Sequence, residues 1–441
     1  MDMEDITPIP AAIVDEVYMK SGLSVLSKAS IREMGKLVNE IEARSGKKFI
    51  HMEMGVPGLP ATKIGVDAEI KALSEGVASI YPNIEGIPQV KKEASRFVKL
   101  MMDVDISPQG CVPTVGSMQG GLAAFMTAGF RDKKKDTILF IDPGFPVQKQ
   151  QLSLLGIPYK TFDVYRFRGD KLKDKLESYL KDDNIAAIVY SSPNNPSWIC
   201  LTDKELKIIG EKATEHDLIV IEDLAYFGMD FRKDYSVPGE PPFQPTVAKY
   251  TDNYLLMISA SKIFSYAGQR IAFVAISDTL YHRKYPDLKL RFSSDEFGHY
   301  LVYGALYGIS SGTSHSAQYA LAAMLKSVND GDFNFVDPIK EYGEKAKIMK
   351  RLFLENGFEI VYDKDEDLPL ADGFYFTIAY PGMLSDELLK EFLYYGISAI
   401  SLSITGSENK QGLRACVSFV QREELPVLEE RLKIFAQNHP R

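Results

Sequence analysis

The sequence predicts an α/β chain of two lobes, a large lobe with a mostly parallel sheet flanked by helices and a smaller α+β lobe. Three observations carry this. The chain has 441 residues, whereas a single core stops growing near ~250–300 residues, so two cores are expected. Short β-branched apolar runs alternate with helix-length amphipathic stretches through its middle, the pattern of a parallel sheet with crossover helices. From about Asp332 onward that alternation gives way to a long charged helix, two or three short strands and a closing helix from Arg422 to Phe435.

Taken in order, the first ~80 residues hold a helical stretch near Ile31 to Ala43 and the turn-rich segment Gly55 to Pro60, and suit either lobe. Buried strands are expected at Thr137–Ile141, Ile185–Tyr190, Leu218–Ile221, Tyr254–Ile258 and Ile271–Ile276. Among the helices, Thr202 to His216 opens with Thr202 and carries Glu205 three residues on, a capping box. The division expected is 1–80 as N-terminal arm and part of the small domain, 81–331 as the large domain and 332–441 as the small C-terminal domain.

Composition narrows the function. The net charge of −9, with 25% charged residues of both signs, leaves no basic patch for nucleic acid. The acidic segment Met1 to Pro10 lacks the order of a signal peptide, and no apolar run reaches the ~18 residues that span a bilayer, so a cytoplasmic protein without a membrane partner is expected. Cys111, Cys200 and Cys416 are odd in number and far apart, which points to reduced, buried thiols. The six histidines form no ligand spacing, so no bound metal is expected.

The chemistry concentrates at turns after strands. Ser259-Ala-Ser-Lys262 is followed by Gly268-Gln-Arg270 between two strand candidates. Ser259, Ser261 and Arg270 suit a phosphate cradle beside an amine that forms an imine, although a polar loop with a surface lysine has the same composition. Asp223 follows a strand, at the sheet edge where ligands of open α/β sheets gather. There it suits a protonated pyridine nitrogen, with Tyr226 donating to a phenolate oxygen; a helix-capping aspartate fits the local motif equally. Asn195, in Ser191-Ser-Pro-Asn-Asn-Pro-Ser197, suits the same oxygen or an ordinary turn. Gly116-Ser117-Met118-Gln-Gly-Gly121 opens an apolar helix, either a phosphate-binding N-terminus or a plain glycine-rich turn.

Together, Asn195, Asp223, Lys262 and Arg270 resemble, in order and spacing, the motifs of the pyridoxal-phosphate-dependent class I/II aminotransferases of fold type I. The resemblance runs from about Gly55 to Arg414. It implies pyridoxal 5′-phosphate as cofactor, Lys262 as Schiff-base lysine and acid/base, and Arg414 as the ligand of the substrate α-carboxylate. It further implies Phe145 stacked on the pyridine ring, Gly55 beside the substrate carboxylate, and a homodimer in which Tyr81 reaches the neighbour's phosphate. The implied activity is ping-pong transfer of an amino group from an amino acid to a 2-oxo acid. A β-eliminating C–S lyase and a non-enzymatic amino-acid sensor are the alternatives. Three departures stand out. Asn195-Pro-Ser-Trp198 replaces the family's Asn-Pro-Thr-Gly, Ala272 ends an arginine loop that usually ends in glycine, and Met118 stands where the aspartate-using branch has lysine. If Trp198 points inward it reshapes the substrate pocket, and Arg291 is a candidate substitute for the missing lysine.

Overall fold

The computed structural model describes residues 7–440. They form two compact units, Leu59–Asn194 with Cys200–Ile339, and 7–58 with Asn195–Ile199 and 340–440. These divisions fall at Gly58 and Ile339 rather than at the expected 80 and 331, and the five residues Asn195–Ile199 belong to the smaller unit.

The larger unit is built on seven strands: β1 Cys111–Val115, β2 Thr137–Asp142, β3 Tyr159–Asp163, β4 Ile185–Ser191, β5 Ile219–Leu224, β6 Tyr254–Ser259 and β7 Ile271–Ile276. Their order across the sheet is β1-β7-β6-β5-β4-β2-β3. Only β7 runs against its neighbours, pairing antiparallel with both β1 and β6. The strands β2, β5, β6 and β7 are buried along their whole length, as expected of a parallel sheet covered on both faces. Helix α1, Gly116–Phe130, is rich in small residues and lies close on the sheet. A Cβ at Gly120 would come within 2.9 Å of the Val274 side chain, so glycine sets that approach.

Helix α2 spans Pro146–Leu155 and α3 spans Asp203–Glu215. The expected capping box is present: the Thr202 hydroxyl accepts from the Glu205 N–H, and the Glu205 carboxylate accepts from the Thr202 N–H at 2.9 Å. Strand β5 runs three residues past the expected Ile221, because Tyr190 pairs with Glu222 and Ser191 with Asp223 across β4. Glu222 and Asp223 therefore lie within the sheet and point to opposite faces.

The smaller unit holds a four-stranded antiparallel sheet of β8 Glu359–Ile360, β9 Tyr375–Ala379, β10 Ile400–Ser401 and β11 Leu413–Cys416, in the order β10-β11-β9-β8. Ile31–Ser45, Ser385–Tyr394 and Leu425–Asn438 are among its helices. Phe353, Phe358, Phe392 and Phe435 pack as a cluster, with Phe358 and Phe435 centroids 5.2 Å apart. Among the described residues no helix is long and apolar enough to cross a membrane, and no group of metal-ligating side chains occurs. The three cysteines are free, Cys111 and Cys416 buried and Cys200 half-buried.

Candidate active site

The register of the large sheet brings the candidate residues to one edge. Parallel β4, β5 and β6 deliver Ser191, Asp223 and Ser259 there. Antiparallel β7 starts at that edge, with Ala272 opposite Ser259 and Ile271 opposite Val115. Arg270 immediately precedes Ile271 and Gly116 immediately follows Val115, so pairing alone places the guanidinium beside the start of α1. A Cβ on Gly116 would stand 2.6 Å from Arg270 Nη2. Both residues have left-handed backbones, φ +64° at Gly116 and +52° at Arg270, a conformation open to glycine and costly for arginine.

This corner fits a phosphate. The first-turn N–H groups of α1 and the guanidinium converge on it, and the buried Ser117 hydroxyl has no hydrogen-bond partner. Ser259 Oγ accepts from the Ser261 N–H at 3.1 Å, which holds the turn that carries Lys262. That lysine is half-buried in the four-residue helix Ala260–Ile263, α4.

Asp223 is buried. Gln148 Nε2 donates to its Oδ2 at 2.9 Å and the Ala225 N–H to its Oδ1 at 3.1 Å. Burial pushes its pKa up to about 6, against the pull of these two donors. A carboxyl group so placed gains from a cationic partner, and a protonated pyridine nitrogen supplies one. Phe145 caps α2 on the turn after β2 and accepts through its carbonyl from the Gln148 N–H at 3.2 Å. No sequence motif marks Gln148; its position in the first turn after Phe145 is the only local sign of it. Tyr226 is buried three residues past Asp223.

In the smaller unit Arg414 lies on β11 and is 1% exposed. Its Nη1 donates to Asn195 Oδ1 at 3.2 Å, its Nη2 donates to the Glu53 carbonyl, and its guanidinium carbon lies 4.6 Å from the Tyr375 ring centre. None of these partners is a carboxylate, and its Nε has no partner. The Glu53 side chain is turned elsewhere, accepting from Ser398 and lying 2.9 Å from His51 Nδ1. Gly55 is needed as glycine, since a Cβ there would meet the Tyr375 hydroxyl at 2.0 Å. Glu53 and Tyr375 escape a sequence reading because each meets Arg414 from a distant part of the chain.

The pattern of the family described as "Aminotransferase class I and II" matches residues 49–432. The chain belongs to that family. This aminotransferase is 24% identical over 344 residues to a probable aspartate aminotransferase of Methanocaldococcus jannaschii, covering 72% of this chain and 86% of that protein. It is 28% identical over 263 residues to aromatic-amino-acid aminotransferase 2 of Thermococcus litoralis, covering 57% of this chain and 62% of that one. Among solved structures, an alanine aminotransferase from Pyrococcus furiosus matches with a TM-score of 0.75 at 21% identity, over 95% of this chain and 99% of the other. The fold is therefore the aminotransferase fold, with its mixed, mostly parallel seven-stranded sheet.

Tyr81 is 90% exposed, at a concavity of about 650 Å³ lined by Leu73, Val77, Ile80 and Ser310–Ser316. Arg291 is exposed and stacks 4.0 Å over Phe130, at the far end of α1 from Gly116. Trp198 does point inward: it is 1% exposed, against Gly373 and Tyr375.

Proposed function

We propose that this aminotransferase carries pyridoxal 5′-phosphate on Lys262 and passes the amino group of an amino acid to a 2-oxo acid by a ping-pong sequence. The observation that supports it most is the convergence of Asp223, Lys262, the Gly116–Met118 turn and Arg270 on one sheet edge. The cofactor, when bound, supplies an aldehyde for the covalent link and an electron-withdrawing ring.

The chain's own residues do the rest. The first turn of α1, Ser117, Ser259, Ser261 and Arg270 hold the phosphate. Asp223 keeps the ring nitrogen protonated, Phe145 covers the ring, and Asn195 and Tyr226 donate to the ring oxygen. Arg414 and Gly55 take the substrate α-carboxylate, the anion that the buried guanidinium lacks among its own neighbours. Lys262 would move a proton at the substrate Cα.

The chain acts as a homodimer in this reading. Tyr81, Ile80 and Leu73 leave an exposed apolar surface at that concavity, and a second copy would cover it while Tyr81 reached the partner's phosphate. Free thiols suit a cytoplasmic location.

Replacement of Lys262 by alanine is expected to remove the visible absorbance of the linked cofactor and to slow turnover by roughly 10⁴-fold or more. Retention of both would refute the assignment. The same assay, scored for 2-oxo acid against pyruvate plus ammonia, separates transamination from elimination. Mixing a Lys262→Ala chain with a Tyr81→Phe chain should restore activity above either parent, since a hybrid dimer holds one site free of both changes. No recovery would place Tyr81 in its own subunit's site.

A further inference from the structure

Trp198 is the chain's one tryptophan, and it replaces the glycine of the resembled motif. Its backbone is left-handed, φ +65°, a conformation that disfavours a bulky residue and that surrounding packing must hold. Glycine would sit there without strain, so the indole is what this position retains.

The partner of the indole is equally specific. A Cβ on Gly373 would fall 2.0–2.2 Å from three indole atoms, closer than any side chain allows. Two residues on, Tyr375 meets the indole edge-on, 6.1 Å between centroids at 66°. Across the sheet Arg414 pairs with Thr377, so Tyr375 is its diagonal neighbour on the same face. That register puts the phenol ring beneath the guanidinium, 4.6 Å away, where a planar cation stacks well. The contacts run in one line from indole to phenol to guanidinium.

We propose that Trp198, interlocked with Gly373, is a positioning residue that fixes Arg414 for the substrate α-carboxylate by bracing Tyr375. The proposal rests on the reading of Arg414 as the carboxylate site. A guanidinium that binds a carboxylate bidentately must keep its plane, and the brace restricts the ring that sets this plane. Removing the indole frees Tyr375 and then Arg414, without touching the groups assigned to the cofactor's ring nitrogen and phosphate.

The test uses cofactor-loaded enzyme carrying Trp198→Gly, Trp198→Phe, Gly373→Ala, the double change Trp198→Gly with Gly373→Ala, and Arg414→Ala. L-alanine, L-aspartate and L-phenylalanine serve as probes. For the best of them, Trp198→Gly should raise KM roughly tenfold while kcat falls less than threefold and cofactor affinity holds. Trp198→Phe should recover most of the loss. Gly373→Ala should weaken the parent but add nothing to Trp198→Gly, because the clash is gone; additive effects would overturn the interlock. The emission of Trp198 gives a readout apart from turnover, and it should shift on addition of the amino acid in the parent and not in Arg414→Ala. An unchanged KM in Trp198→Gly beside a collapsed affinity in Arg414→Ala overturns the positioning role alone. An unchanged affinity in Arg414→Ala overturns the carboxylate reading and the proposal with it. If Trp198→Gly does not fold, Trp198→Phe and Gly373→Ala decide: a KM at the parent's value in both overturns the brace.

Discussion

Two arginines, the half-buried Arg168 in the larger unit and the buried Arg414 in the smaller, have opposite surroundings. Arg168 of the larger unit meets Glu205 through Nε at 2.7 Å and Nη2 at 2.8 Å, and Nη2 also donates to the Cys200 carbonyl at 3.0 Å. Burial pushes the Glu205 carboxyl up, but the hydrogen bonds and charge of Arg168, together with the Thr202 and Gly169 N–H donors, outweigh this and leave it below the ordinary value. Arg414 of the smaller unit has only neutral partners and an aromatic face. A buried cation without an anion is costly unless a ligand completes it. The first arginine has its carboxylate within the fold, whereas the second has only neutral partners and is the one proposed to take the substrate carboxylate.

Alanine substitution should separate the two most widely. Arg168→Ala strands the fully buried Glu205, and breaking such a pair costs about 3–5 kcal/mol of stability. Its KM for amino acid should stay near the parent's. Arg414→Ala should weaken amino-acid binding by roughly 2–5 kcal/mol, the range for truncating one side of a buried charge contact, with cofactor affinity kept. Thermal melting and substrate titration on both variants check this, and an exchange of the two phenotypes would break the contrast.

Asp223 carries the comparison to the opposite charge, since it too is buried without a charged partner. Its folded pKa of about 6 exceeds the ordinary carboxylate value of 3.8. The stability this group contributes is therefore full below pH 3.8 and lost as pH rises through 6. Asparagine has the same shape and does not titrate. In cofactor-free protein Asp223→Asn should gain on the parent as pH rises from about 4 to about 7, by up to about 3 kcal/mol. The cofactor should reverse that order, because only the carboxylate pairs with a cationic ring nitrogen. Melting curves with and without cofactor read both effects, and a pH-independent difference in the cofactor-free pair would remove Asp223 from this role.

Local chemistry was legible in the sequence, and register was not. Asp223, Lys262, Arg270 and Gly116 sit at the ends of apolar runs, where a strand must turn, so reading the runs located them. Strand β1 was missed because Pro113 interrupts it; it is an edge strand, where proline is tolerated. Strand β3, at the other edge, is exposed or half-buried over its first three residues and carries little apolar signal. Tyr375 acquires its role from the pairing of Thr377 with Arg414, and Gln148, Glu53 and Gly373 acquire theirs from helix and loop packing, none of which a local pattern encodes. The same holds for the assignment of Asn195–Ile199 to the smaller unit.

Glu222 supplies the finest test of the comparison, because it adjoins Asp223 in sequence and faces the other side of the sheet. It is fully buried and accepts from the Thr246 hydroxyl at 2.6 Å and the Val247 N–H at 3.2 Å. Burial lifts its pKa to about 7, against those donors. The folded protein thus keeps this proton to higher pH than the unfolded chain, and the associated stability is full below 4.5 and lost as pH rises through 7. Glutamine preserves the acceptor oxygen for Thr246 and Val247. Glu222→Gln should match the parent near pH 5 and melt a few degrees higher near pH 8. Cofactor affinity and amino-acid KM should stay unchanged at both values, since nothing on that face belongs to the candidate site. A cofactor-dependent effect of the size expected for Asp223→Asn would show that the two faces of β5 are not divided between structure and chemistry.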